Sequence, residues 1–290
     1  MPTYTLPPPA TPTWTIFSDE AKLSFDGWTR PWQCEVSYHR RDLDGGLSLQ
    51  VRKQDASNVM YHDLPALKTA VPHTSHRGAH PDRKNAVLFK DHHGHRIQTK
   101  GKLEEKLKGM PKYTFDEAQQ HKEFQELIYG CELIDSWDTR SISTDRGKES
   151  QTQTLRMWFD KHTHVPFLLF YLNVPRKPHS KTYVQEPKTA FSDKIEAKRK
   201  SALLKLHFQH QVAAGRSGRA DSFGSGGSGG ARSDNSGRRS SSTPYFQYLE
   251  IEFASTEARD QFIELWQNWR SLLQNSISGE GTGLGGNVPV

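Results

Sequence analysis

The amino-acid sequence predicts an α+β chain that is mostly β: two antiparallel β-sandwich or barrel domains, each closed by a C-terminal helix, plus disordered segments. Three observations carry this prediction. Short runs of alternating apolar and polar residues recur in both halves, the pattern of strands with one face on a core. A helical stripe ends each half. The two stripes also share a phrase: FDEAQQHKEFQEL, Phe115 to Leu127, and FASTEARDQFIEL, Phe253 to Leu265, each open on Phe, reach a second Phe nine positions later and then read x-Glu-Leu.

Residues 1–12, rich in Pro and Thr, read as an extended, mobile tail. From Trp14 the strand candidates begin with TWTIF. CEVSYHRR alternates through Cys34, Val36 and Tyr38, and LSLQVRK through Leu47, Leu49 and Val51, with DLDGG as the hairpin turn between them. NVMYHDL follows, then a polar passage, PHTSHRGAHPDRK, then NAVLFKD and HRIQTKGK joined by a turn at His93 and Gly94. With KYTF this makes about seven short strands before the helix. Asp116 stands where an N-cap belongs, and the helical period turns Ala118, Phe124, Leu127 and Ile128 to one side.

The second half repeats the plan. CELIDSW reads as a strand, as does QTLRMWF through Leu155, Met157 and Phe159, and the apolar run PFLLFYLN reads as a strand covered on both sides. KTYVQ is a further short candidate. SALLKLHF alternates through Ala202, Leu204, Leu206 and Phe208, while the preceding KIEAKRK reads either as its extension or as a basic helix. YFQYLEIEF sets Leu249, Ile251 and Phe253 on one face, and the helix behind it shows Ala258, Phe262, Leu265, Trp266, Trp269 and Leu273 at spacings of three and four. The Gly, Ser and Arg stretch 213–243 and the tail 276–290 bury too little apolar area to offset the entropy of ordering them. An insert of this kind adds little loop-closure cost. The domains are therefore expected at 13–130 and 131–275.

Composition agrees with ordered islands in unpacked chain: 33% of residues are apolar and the mean hydropathy is −0.80. The net charge of +6 and pI near 9.2 favour phosphate-bearing partners, nucleic acid or an anionic membrane face. Cys34 and Cys131 are too few for a disulfide framework and point to a reducing compartment, with one isolated bridge left open. The start carries no basic segment followed by an apolar core, and VPFLLFYLNV is about half of the ~20 residues a spanning helix needs. A cytoplasmic protein is expected, free or peripheral to a membrane, with the nucleus left open.

The repeated phrase has a physical meaning. The first Phe ends the last strand of each half, the polar residues make the turn, and the second Phe anchors the helix on the sheet, covering its open edge. That order of elements resembles the pleckstrin-homology-like fold, a bent seven-stranded sheet closed by a C-terminal helix. YFQYLEIEFASTEARDQFIELW is most similar to the end of such a domain, and YTFDEAQQHKEFQELI echoes it. The wording as a whole is similar to filamentous-fungal proteins with this module. Phe124, Phe262 and Trp266 are then the structural anchors of the helices.

The resemblance implies a candidate lipid or anion site on the first hairpin, YHRRDLDGGLSLQVRK, with Arg40, Arg41, Arg52 and Lys53 as its cations. Asp42 and Asp44 oppose it, and Gln50 stands where the family's pattern has a cation. The histidines at 73, 76 and 80 and at 92, 93 and 95 lie in expected loops without a Cys pair or finger spacing, so they read as surface residues and no metal site is expected. Stretch 213–243 offers RNA flexible cations but only Phe223 for stacking, and Asp221 and Asp234 dilute its charge. Arg238 and Arg239 precede Ser240 and Ser241 as a basophilic kinase requires, making those serines candidate phosphorylation sites. No activated nucleophile, phosphate-cradling loop or cofactor fingerprint is present, and Cys34 and Cys131 read as small core residues.

The expected function is a non-enzymatic intracellular scaffold whose tandem pleckstrin-homology-like domains dock a protein partner or an acidic membrane surface, without cofactor. An RNA-associated protein binding through 213–243 is the alternative, and an enzyme with an unrecognised pocket a third.

Overall fold

The computed structural model describes residues 13–25, 30–41, 45–55, 57–66, 70–74, 85–89, 94–99, 102–104, 110–174, 183–209 and 247–279, with backbone alone at 94–99, 102–104 and 270–279. Alternation in the first half produces β1 (Thr15–Ser24), β2 (Trp32–Arg40), β3 (Gly46–Lys53), β4 (Asn58–Ala66), β5 (Pro72–Thr74), β6 (Ala86–Phe89), β7 (Gly94–Thr99), β8 (Lys102–Glu104) and β9 (Lys112–Thr114), followed by α1 (Ala118–Tyr129). The second half forms β10 (Glu132–Thr144), β11 (Gly147–Asp160), β12 (Val165–Tyr171), β13 (Tyr183–Pro187), β14 (Phe191–Ala197), β15 (Leu203–Phe208), β16 (Tyr248–Phe253) and α2 (Thr256–Gly279).

The strands make two antiparallel sheets, ordered β5-β6-β9-β1-β2-β3-β4-β7-β8 and β13-β12-β11-β10-β16-β15-β14. One plan underlies both. Four strands meander, the strand leading into the helix pairs with the first of them, and the two strands that follow the meander in sequence add outward from it, β6 then β5 in one sheet and β15 then β14 in the other. The β7–β8 hairpin extends the first sheet beyond β4. Between β6 and the strand that leads into the helix the first sheet inserts 90–111, which carries β7 and β8; at the equivalent place, between β15 and β16, the second has 209–247.

By compactness the chain divides into one unit of Met1–Asp138 with Thr152–Pro166 and another of Thr139–Gln151 with Phe167–Val290. In the first, apolar residues of β1 to β4, β6 and β9 form a core that includes Phe124 and Ile128 of α1. Phe124 is wholly buried, with ring centroids 4.8 Å from Phe115, 5.1 Å from Tyr113 and 5.3 Å from Phe17. In the second unit Phe262 is equally buried, 5.3 Å from Phe253 and stacked at 5.5 Å on Trp266, which meets Phe191 edge-on. Helix start and ring contact thus fall at the same offsets from the Phe at the strand end in both units.

Several local expectations are corrected. Asp116 is not the N-cap of α1: Lys22 Nζ takes its carboxylate at 2.6 Å, and extended Glu117 occupies the cap without a side-chain bond. Ala118 is exposed, and the buried face of α1 is His121, Phe124, Gln125, Ile128 and Tyr129. That helix ends at Gly130, whose φ of 73° suits a residue without Cβ and lets its N–H reach Glu126 O. By contrast α2 is capped by Ser255, whose Oγ accepts from Ala258 N–H at 3.2 Å, and it runs to Gly279 rather than stopping at Asn275. The polar passage after β4 contains a buried strand, β5. The expected tail 1–12 and insert 213–243, and residues 280–290, lie outside the described residues.

Because each ring anchors its own unit, Phe124→Ala and Phe262→Ala should each lower stability by about 3–5 kcal/mol. Chemical denaturation checks this, and a loss under about 1 kcal/mol for either contradicts its anchoring role.

Candidate functional site

Register in the β2–β3 hairpin decides what its cations can do. Arg40 pairs with Leu47 near the turn, whereas Arg52 and Lys53 pair with Glu35 and Cys34 at the far end. At ~3.4 Å per residue the two pairs of cations are roughly 17 Å apart along the strand. Nearby groups also occupy them. Arg41 donates to Ser48 Oγ (3.2 Å), Asp63 Oδ1 (3.3 Å) and Leu64 O (2.9 Å), and Ser48 itself donates to Asp63 at 2.6 Å. Arg40 reaches Leu127 O at 3.4 Å. Lys53 lies 2.5 Å from Asp55, and its hydrogen bond, with those from Ser57, holds that carboxyl down at about 2. Arg52 is exposed opposite Glu35. The four cations therefore do not converge on one anion. Asp42 and Asp44 lie outside the described residues.

The face of this sheet turned away from the core is polar and internally satisfied. Gln50 is buried there, donating to Tyr61 Oη at 3.2 Å with Ser37 Oγ within 3.5 Å. Trp14 leans on His39 and Tyr61 with centroids 5.9 and 6.1 Å away. Gln50 is thus a structural amide, held by its neighbours on the sheet.

Histidine chemistry differs from the sequence reading. His73 is buried in β5 rather than on a surface loop, and His62 of β4, which no spacing singled out, is wholly buried with Nδ1 2.9 Å from Tyr113 Oη and Phe89 edge-on at 5.0 Å. His76, His80, His92 and His93 lie outside the described residues, and His95 is described by backbone alone. Among the described residues, no three His, Cys, Asp or Glu side chains are grouped to hold a metal ion.

Buried titratable groups are the other chemical feature. Glu186 of β13, opposite Leu168, is 7% exposed, and burial pushes its carboxyl up to about 7. Alternation predicts such a site poorly, because KTYVQ ends one residue before it. Cys34 and Cys131 are both buried thiols. Burial pushes Cys34 up to about 12, and its Sγ meets Ala21 O at 3.2 Å. Tyr113 is likewise pushed well above its ordinary value by burial. In the first unit Arg156 is buried too, donating to Gln125 Oε1 at 3.3 Å and to Pro72 O.

The stretch KIEAKRK is not helical. β14 ends at Ala197, and Lys198 to Ser201 make the turn into β15, with Lys198, Arg199 and Lys200 exposed at its tip. Of the expected helix anchors, Phe124, Phe262 and Trp266 are buried as described above. Ser240 and Ser241 lie outside the described residues.

The shift at Glu186 sets a pH dependence. A carboxyl near 7 in the folded chain and 4.5 ordinarily keeps its proton longer when folded, so stability falls as pH rises from 4.5 to 7. Glu186→Gln removes this loss, gaining up to about 3 kcal/mol over wild type at pH 8 and converging with it below pH ~4. Denaturation at the two pH values is the check, and parallel curves would contradict the burial effect. For the thiols, a water-soluble maleimide at neutral pH should leave both native cysteines unmodified and label both in denaturant; rapid native labelling would expose a reactive thiol. Compared with protein-family models and with curated proteins, the chain matches none of either.

Proposed function

We propose that this chain is a non-enzymatic docking protein made of two pleckstrin-homology-like units, which engage a protein partner or an acidic membrane surface. What carries the reading is the shared strand order of the two sheets, each ending in a strand, a turn and a helix anchored by a Phe at one offset. A seven-stranded sheet closed by a C-terminal helix is the arrangement that the resemblance implies; the second sheet has seven strands, and the first has nine, counting the β7–β8 hairpin. Fold alone leaves the partner open. The polar, self-satisfied face around Gln50 and the dispersed cations of the β2–β3 hairpin favour broad surface contact over capture of one small anion.

RNA association through 213–243 is the competing function, favoured by Arg216, Arg219, Arg232, Arg238 and Arg239 in that stretch. Deleting 213–243 separates the two. In the docking reading, the proximity-labelling profile of the full chain in cells survives the deletion, and neither form retains a single-stranded RNA probe at physiological salt. RNA retention by the full chain that vanishes on deletion, together with loss of that profile, would overturn it.

A further inference from the structure

We infer that the β14–β15 turn of the second unit, through Lys198, Arg199 and Lys200, is a contact site for an anionic lipid surface. This deepens the docking function proposed above and rests on it. Three consecutive cations stand exposed on a two-stranded tip, flanked only by the small residues Ala197, Ser201 and Ala202. No carboxylate among the described residues pairs with them. Most carboxylates of neighbouring elements are engaged elsewhere: Glu196 with Lys194 at 2.6 Å and His207 at 3.0 Å, Asp260 with Arg259 at 2.6 Å, Glu257 with Thr256 Oγ1 at 3.0 Å, Glu252 with Arg140 at 3.8 Å, and Glu250 with Lys205 at 3.7 Å, while Asp193 stands exposed nearer the other end of β14. Among the described residues, the three cations therefore have no ion-pair partner.

Its backbone is also held in place. Arg259, in the first turn of α2, is 5% exposed and donates to Lys198 O at 2.6 Å and to Ser201 O. Ser201 N–H closes the turn on Lys198 O at 3.0 Å, and Ala202 O accepts from Phe253 N–H. A buried guanidinium spent on two main-chain carbonyls fixes the tip before any partner arrives, which removes ordering entropy from binding.

Geometry selects the kind of partner. Consecutive side chains of a tight turn diverge, so these three cannot close on one phosphate, whereas a planar array of headgroups meets all of them. Each cation near such a surface contributes about 1 kcal/mol. The turn has no aromatic ring on which a nucleic-acid base could stack. The β10–β11 turn, with Arg146 and Lys148, lies at the opposite end of the same sheet, because Thr144 pairs with Leu249 while Leu203 pairs with Glu252. It supplies a matched control.

The test is co-sedimentation of the full chain with phosphatidylcholine vesicles with or without phosphatidylserine, folding being checked by circular dichroism. Wild type should partition onto the serine-containing vesicles alone. K198Q/R199Q/K200Q should reduce that partition about 100-fold, whereas R146Q/K148Q should change it little. Soluble glycerophosphoserine should not compete, since the site reads a surface. The inference is overturned if the triple variant partitions like wild type or the control falls equally, outcomes that leave docking intact. It is also overturned if the tip's cations are needed only for a polyglutamate or RNA probe while vesicles stay unbound. Loss of the cellular partner profile on deleting 213–243 would instead sink the docking function without touching the vesicle result.

Discussion

Each half of this protein is organised around one contact, the ring of a strand-end Phe against the ring of a Phe nine residues later on the following helix. Helix begins three residues after the first ring, so six residues and about 9 Å of rise bring the second ring to the sheet. Centroids 4.8 and 5.3 Å apart at tilts of 52° and 45° put both pairs within contact range and away from the disfavoured face-to-face sandwich, worth about 1 kcal/mol beyond burial alone. An antiparallel meander has no intrinsic reason to be closed at its mouth. The ring pair supplies one.

The two units differ around that contact. Three residues before the anchoring Phe, each helix buries a basic side chain, His121 in α1 and Arg259 in α2. His121 sits in a polar cluster with Gln125, whose amide donates back to His121 O at 3.3 Å while its carbonyl receives Arg156. Arg259 instead reaches out to a hairpin. The same helical position thus serves internal cohesion in one unit and the shape of a surface turn in the other.

How much could be read from the chain follows from the physics of each element. Strands with a clean period of two, such as β16 with Leu249, Ile251 and Phe253 inward, were legible because one face is buried and the other wet. β5 was not: three residues, Pro-His-Thr, are buried through tertiary packing and carry no period at all. β14 was ambiguous because its mostly exposed, charged residues fit a helix or an edge strand equally well. The cap at Asp116 failed because Lys22, 94 residues away in sequence, competes for its carboxylate, and no local rule sees that partner. The proposed anion site gathered residues close in sequence that the hairpin carries to opposite ends, while the Arg259 grip joins residues about sixty apart and leaves no trace in spacing.

Both sheets carry their insertion at the same point, between an outer strand, β6 or β15, and the strand that delivers the anchoring ring. One sheet spends it on an extra hairpin and the other on 39 residues between β15 and β16. Closing a long loop costs little more than closing a short one, so the architecture tolerates foreign sequence at this junction better than at its tight turns. It is the natural place to splice a fluorescent reporter or an affinity tag, leaving the aromatic latch untouched.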